Sequence, residues 1–271
     1  MNYNNIKKLL SKYFNKKNWL RLLFYRLLEL LLLRSWYVRR ELRKWLKNAP
    51  QNAAVLDAGS GLGQYSWRIA KMGKKMTIIG NDINQDNIDD CNKFFHKLGF
   101  HDTVIFKQND ITQLKEKEIY NLVLLIDVLE HIEDDQLVLN NLYQSLRPNG
   151  SLILTTPSDL GGSAAKNHTD LDDGFIDEHV RNGYNKTELV DKLKRAGFTK
   201  INAKYIYGIP GNIAWILSMK IPIILLNKSP KFLFLLPFYY IITYPISFIL
   251  NCLDTVCKHK SGTGIFVSCQ L

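Results

Sequence analysis

Val55-Leu56-Asp57-Ala58-Gly59-Ser60-Gly61-Leu62-Gly63 is the stretch from which the fold is read. A short apolar run ends in an acid, glycine follows at every second position, and a helix-like segment comes next. A buried parallel strand needs this order to turn sharply into a helix while a ligand lies against the backbone. Glycine permits positive φ and removes the Cβ that would hold a ligand away. The first N–H groups of the helix are left open to a polar ligand. The stretch therefore predicts a nucleotide-like ligand at the first strand–helix turn of a Rossmann-type sheet.

The flanking sequence alternates in the βαβ manner. Strands are expected at 53–57, 76–81, 103–108, 121–126, 151–156 and 201–207, with a last strand in Gly264-Ile265-Phe266-Val267-Ser268-Cys269. Helices are expected at 64–72, 84–98, 135–146 and 186–196. Lys97-Leu98-Gly99 and Ala196-Gly197-Phe198 read as helix ends, and Arg147-Pro148-Asn149-Gly150 reads as a turn into a strand. The expected organisation is a basic helical arm over 1–48, a ligand-binding α/β core over 49–208, an apolar insertion over 209–263, and the core's last strand at 264–271.

Acids recur at the strand ends. Asp82 stands nineteen residues past Gly63 in Asn81-Asp82-Ile83. A carboxylate at that distance, at a strand's carboxyl end, can accept both hydroxyls of a ribose. Ile83 beside it could pack on an adenine face. Asn109-Asp110-Ile111 closes the third strand, and Asp127 in Ile126-Asp127-Val128-Leu129-Glu130-His131 closes the fourth.

In combination these motifs resemble the class I S-adenosylmethionine-dependent methyltransferases over about 50–208 plus the last strand. A nicotinamide dehydrogenase would instead prefer Gly-x-Gly-x-x-Gly. The resemblance implies a Rossmann-like, seven-stranded, mostly parallel sheet whose last strand is antiparallel. It implies S-adenosylmethionine as cofactor, with Asp57, Gly59, Ser60, Gly61 and Gly63 facing its methionine half and Tyr65 beside them. Asp82 is the implied ribose acid, Asp110 with Ile111 meets the adenine amino group, and Asp127 opens the segment that closes over the cofactor. Leu146-Arg147-Pro148-Asn149-Gly150 is similar to the family's turn before strand five, where Asn149 tolerates left-handed geometry. A base is needed only where the acceptor must lose a proton. His131 and His179 are the candidates, each weighed against a structural role. No metal site is expected.

The charge is uneven. Residues 1–47 hold thirteen Lys/Arg against Glu29 and Glu41, which accounts for the whole net charge of +11. On a helical wheel Arg21, Arg26, Glu29, Arg39, Arg40, Arg43, Lys44 and Lys47 share one side, and Leu20, Leu23, Leu27, Leu30 and Leu31 the other. The readings open to it are a helix packed on the core with a solvated basic face, a membrane-surface element and, last, a nucleic-acid contact. The apolar run Leu27–Leu33, broken by Glu29 and closed by Arg34, lacks a cleavage site and does not read as a signal peptide.

Residues Ile213 to Leu226 are uncharged but for Lys220, and Phe232 to Leu250 form nineteen positions without a charge. That length is at the threshold for a bilayer span, although Pro237 and Pro245 interrupt it. If the flanking strands share one sheet, the segment must leave and return on one side, as a helical hairpin or a monotopic element. A buried cap or homodimer interface is the alternative. Cys91, Cys252, Cys257 and Cys269 show no metal-ligand spacing and are expected as reduced thiols.

The leading expectation is a methyltransferase acting on a lipid, quinone, polyprenyl or lipid-linked acceptor. It would be peripheral or monotopic at the cytoplasmic face of a membrane, held there by 1–47 and 209–257. The competing readings are an RNA or soluble small-molecule methyltransferase, and a non-enzymatic membrane module. No nucleic-acid partner is expected, because 209–257 lacks interleaved cations and stacking aromatics.

Overall fold

The computed structural model describes residues 17–161 and 180–271. The chain divides into two compact units. One holds 40–156, 184–203 and 266–271; the other holds the described parts of 1–39, 157–183 and 204–265.

Seven strands form one sheet: β1 (Ala53–Ala58), β2 (Met76–Asp82), β3 (Val104–Gln108), β4 (Tyr120–Ile126), β5 (Leu146–Pro157), β6 (Thr199–Ile206) and β7 (Gly264–Gln270). Their order is β3-β2-β1-β4-β5-β7-β6. The β1–β2, β2–β3, β1–β4 and β4–β5 pairs are parallel. β7 runs against its neighbours: Leu271 N donates to Gly150 O beside the start of β5, and Ser158 N donates to Thr263 O beside its end. This is the expected Rossmann-like, mostly parallel sheet with a reversed last strand.

The α/β unit buries the strands on both faces. Val55, Leu56, Leu122, Val123, Leu124, Leu125, Leu152 and Leu154 are all inaccessible, as the near-continuous apolar runs of a parallel sheet require. Helices α3 (Gln64–Ala70), α4 (Gln85–Lys97), α5 (Asp135–Ser145) and α6 (Lys186–Ala196) lie between strands. The starts of α4, α5 and α6 carry side-chain caps: Asn84 accepts from Asp86 N and Asn87 N, Asp134 from Leu137 N, and Asn185 from Thr187 N. Gly197 ends α6 in the left-handed region.

The expected turn at 147–150 lies inside β5. Tyr120 pairs with Leu146 and Leu122 with Ser151, so Arg147–Gly150 bulge out between two paired rows. Leu146 is buried and pairs before the excursion begins, which is why the strand starts earlier than its apolar run suggests. Asn149 takes positive φ there, as expected.

The other unit is helical: α1 (Asn18–Leu31), the first part of α2 (Leu33–Asn48), α7 (Ile209–Trp215), a π-helical turn (Ile216–Lys220), α8 (Ile221–Lys228), a 3-10 turn (Pro230–Phe234) and α9 (Leu236–Val256). The described part of the arm is helical as expected, and Arg26, Arg40, Arg43, Lys44 and Lys47 of its basic side are exposed. Arg21 and Glu29 on the charged side of α1 are 2% and 8% exposed, whereas Leu23 on the leucine side is 43% exposed. Arg21 Nε donates to Tyr25 Oη at 2.8 Å, and Tyr25 is fully buried. Arg21 and Glu29 thus turn inward, while Trp19, Leu23, Leu27 and Leu30 stand outward. In α9, Ser247, Asn251 and Asp254 are buried while Phe238, Ile241, Ile242, Ile246 and Ile249 are exposed.

Candidate active site

Strand register explains which acids reach the sheet edge. Ala58 is level with Asn81 on β2 and Leu125 on β4. Asp82 lies one row beyond that level, paired with Gln108, and Asp127 and Asp110 lie further out on β4 and β3. Asp57 lies one row inside and is buried.

Asp57 consequently works beneath the glycine turn. Its Oδ2 accepts from Ser66 N at 3.0 Å and from Ser66 Oγ at 2.6 Å, holding the first turn of α3. Burial pushes its carboxyl up from 3.8 to about 6, against the pull of the Ser66 bonds. Because the folded value is the higher one, the unfolded chain gives up this proton first. The group's stabilising effect is whole below 3.8 and is lost as pH rises to about 6. Urea midpoints should therefore record a loss of roughly 3 kcal/mol from this group between those limits. Asp57→Asn should flatten that part of the profile, and an unchanged profile would contradict the assignment.

The turn itself needs its glycines. Gly59 sits at φ 74° with a Val128 methyl where a Cβ would stand, whereas Gly61, at φ 51°, faces open space. Gly59→Ala should cost about 1–2 kcal/mol for the backbone and about 1–3 kcal/mol for overpacking; Gly61→Ala should cost the backbone part alone. Urea unfolding of the two variants checks the order.

Asp82, half-buried, spans the turn. Its Oδ2 accepts from Gly61 N at 2.8 Å and its Oδ1 from Asn84 N at 2.9 Å, so each oxygen keeps a lone pair. Ile83 beside it is 72% exposed, an apolar side chain left standing at the edge. Asn81 O receives Gly59 N and Ser60 N, both at 2.8 Å. The side chains of Asn81 and Ser60 are buried with Nδ2, Oδ1 and Oγ lacking partners among the described residues. Such orphaned polar atoms under a glycine turn fit a polar ligand over it.

Further along the edge, Asp110 caps the 3-10 turn Ile111–Gln113 by accepting from Thr112 N, and Asn141 Nδ2 clasps the carbonyls of Ile111 and Thr112. Asp127 stands at φ 53°, an unusual backbone for a non-glycine residue. It is held there by Thr155, whose Oγ1 donates to Asp127 Oδ1 at 2.7 Å and whose carbonyl accepts Asp127 N at 2.9 Å. Tyr65 is half-buried in the first turn of α3.

His131 is half-buried at the end of the 3-10 turn Leu129–His131. Its neighbour Glu130 is buried and accepts from Thr156 Oγ1 at 3.2 Å. His179 lies outside the described residues.

One network was not anticipated from the sequence. Buried Tyr184 donates to Asp135 Oδ2 at 2.7 Å, and Lys192 Nζ lies 2.9 Å from Asp135 Oδ1. Tyr184 Oη also reaches Leu129 O at 3.3 Å, so the network fixes the segment that follows β4. The Asp134-Asp135 pair opening α5 was its only local signal.

Among the described residues no cluster of His, Cys, Asp and Glu could hold a metal. A cavity of about 620 Å³ is lined by Trp45, Asn121, Asn149, Lys200 and Gln270. It lies at the amino-terminal end of the parallel strands, opposite the acids.

A family model described as a methyltransferase domain matches residues 50–206. The ubiquinone biosynthesis O-methyltransferase of Rickettsia canadensis (strain McKiel) is 32% identical over 102 residues, 38% of this chain and 42% of that protein. The chain thus matches about two fifths of that relative's length. Among solved structures, Haemonchus contortus phosphoethanolamine N-methyltransferase 2, in complex with S-adenosyl-L-methionine, aligns with a TM-score of 0.58 and 17% identity, over 85% of this chain and 52% of that one. The [4+2]-cyclase SpnF aligns with a TM-score of 0.57 and 14% identity, over 85% and 80%. These last two likenesses are of fold.

Proposed function

This chain belongs to the methyltransferase domain family, the class I S-adenosylmethionine-dependent methyltransferases, and from that premise we propose that it methylates a lipid-like acceptor at a membrane surface. The observation that carries the donor half is the glycine turn bounded by Asp82, with the orphaned Asn81 and Ser60 side chains beneath it. Asp82 would take the ribose hydroxyls on its remaining lone pairs, and Ile83 would lie on the adenine. Asp110 and the Ile111 backbone would meet the adenine amino edge. The Gly59–Gly63 turn and Asp127 would flank the methionine half, with Tyr65 beside them, while Asp57 keeps the turn in shape through Ser66.

Bound S-adenosylmethionine supplies a methyl group on a sulfonium, whose leaving group is a neutral thioether. The chain's task is to hold donor and acceptor in line and keep water out. The Rickettsia relative's name speaks of ubiquinone biosynthesis and O-methyl transfer. That supports a hydrophobic, quinone-type acceptor presenting a hydroxyl, whose proton must leave as the bond forms. His131 and His179 are the residues we assign as candidates to receive it. The apolar outward faces of α1 and α9 support a membrane surface as the place of reaction, reached through 1–47 and 209–257.

The test is incubation of the purified protein with a bacterial lipid extract and methyl-labelled S-adenosylmethionine, followed by mass analysis. Label in an organic-soluble hydroxylated ring compound is expected. Label confined to RNA or to water-soluble products would overturn the acceptor class.

A further inference from the structure

We propose that the helical unit is seated within a single leaflet of an anionic bilayer, with both ends and the tip of the α7–α9 hairpin on the same side. This rests on the membrane-surface reading above and specifies how that surface is engaged.

Helix α9 turns apolar side chains outward and polar ones inward. Phe238, Ile241, Ile242, Ile246, Ile249 and Leu253 form the exposed stripe of α9, whereas Ser247, Asn251 and Asp254 on its inner side are at most 2% exposed. In α1, likewise, Leu23, Leu27 and Leu30 face out and Arg21 and Glu29 face in, with Arg26 exposed beside the leucines. Water as the surrounding solvent favours the reverse arrangement; hydrocarbon favours this one. The backbone agrees. The π-helical turn frees carbonyls, and Tyr239 Oη and Tyr240 Oη donate to Leu217 O and Ser218 O, both at 2.7 Å. Ser218 Oγ in turn donates to Leu31 O at 3.3 Å, tying the hairpin to α1. Irregular backbone at membrane depth survives only when it is satisfied in this way.

The single-leaflet placement follows from where the chain enters and where its cations stand. Thr263 N donates to Tyr207 O at 3.1 Å, so the insertion leaves and returns at one point and crosses the bilayer twice or not at all. Crossing twice would carry Lys220 toward the bilayer centre and Lys228 and Lys231 to the far side. A shallow seat lets all three snorkel to one layer of phosphates. α1 has 14 residues, about 21 Å of helix, too short to cross. Between Ile209 and Leu253 there is no acid, and the arm over 1–47 carries the chain's whole excess of positive charge. Cations beside an apolar face fit a leaflet of anionic headgroups.

The experiment adds full-length protein to preformed sealed vesicles of phosphatidylglycerol and phosphatidylcholine. A Ser229→Cys variant, with the four native cysteines replaced by serine, is probed at the hairpin tip with a membrane-impermeant maleimide. The protein should float with the vesicles and resist release by high salt. The tip should label from outside to within twofold of its extent in detergent. Ile242→Asp with Ile249→Asp should cut vesicle binding at least tenfold while changing affinity for S-adenosylmethionine less than twofold. A tip protected until the vesicles are lysed would overturn the single-leaflet placement. Protein left in the bottom fraction, or a detergent-free dimer that covers the apolar face, would overturn embedding altogether. Methyl transfer to a soluble catechol in detergent reads the catalytic reading separately, since its loss with embedding intact would count against that reading alone.

Discussion

Asp82→Ala should weaken binding of S-adenosylmethionine by about 30- to 1000-fold, roughly 2–4 kcal/mol, from the loss of charge-assisted hydrogen bonds to two ribose hydroxyls. The residue also accepts from Gly61 N and Asn84 N, so alanine leaves one backbone donor of the glycine turn and one at the start of α4 without their acceptor. The two effects separate experimentally. Calorimetric titration measures the ligand part, and thermal unfolding of the ligand-free protein measures the turn. Asp82→Asn retains one oxygen acceptor and should recover much of the ligand-free stability while still binding the cofactor poorly. Unchanged affinity in Asp82→Ala would remove the ribose assignment, and with it the orientation of the cofactor along the sheet edge.

The second large effect is expected far along the chain. Asp254, fully buried, is the knot of the helical unit. Its Oδ1 receives Tyr37 Oη at 2.8 Å, and its Oδ2 receives Gly208 N at 2.9 Å and Gly211 N at 3.1 Å. His259 Nε2 lies 3.1 Å from the same Oδ2. Gly208 N and Gly211 N are donors around the start of α7 that have no partner within the helix, and the carboxylate also suits the positive end of its dipole. A Cβ at Gly211 would collide with this carboxylate, which is why the helix can approach so closely. Asp254→Ala leaves these donors buried and unpaired, a loss of about 3–5 kcal/mol. Limited proteolysis in detergent should then cut within 204–265 much faster than in the parent protein. Cleavage at the parent rate would show that the contacts are dispensable.

Much of the α/β unit was legible because its signals are local. The β1 and β2 runs, the Asn84 cap and the Gly197 helix end each announce themselves within a few residues, and the observed elements lie within one or two positions of those expected. β5 was the exception, since Leu146 pairs across a bulge that no local pattern marks. The acids at the strand ends were readable as a set, but not their rows. Only the register shows that Asp57 lies beneath the turn while Asp82 and Asp127 reach the edge.

Long-range pairing hid the rest. The Tyr184–Asp135–Lys192 network joins residues 49 and 57 positions apart. The arm shows the limit most plainly. A helical wheel finds two faces in α1 but does not say which is inward, because that depends on the surrounding solvent and on polar partners elsewhere. Arg21 and Glu29 turned out to be the inner face.

Methyl transfer from S-adenosylmethionine to a hydrophobic acceptor at a membrane is the activity we propose for this chain. Its most direct test compares kcat/KM for a catechol bearing an isoprenoid tail with that for the same catechol without the tail, using protein bound to anionic vesicles. The tailed acceptor should be preferred by at least a hundredfold, and the product should gain one methyl group. Equal turnover of the two acceptors, or transfer to neither while S-adenosylmethionine still binds, would contradict the account.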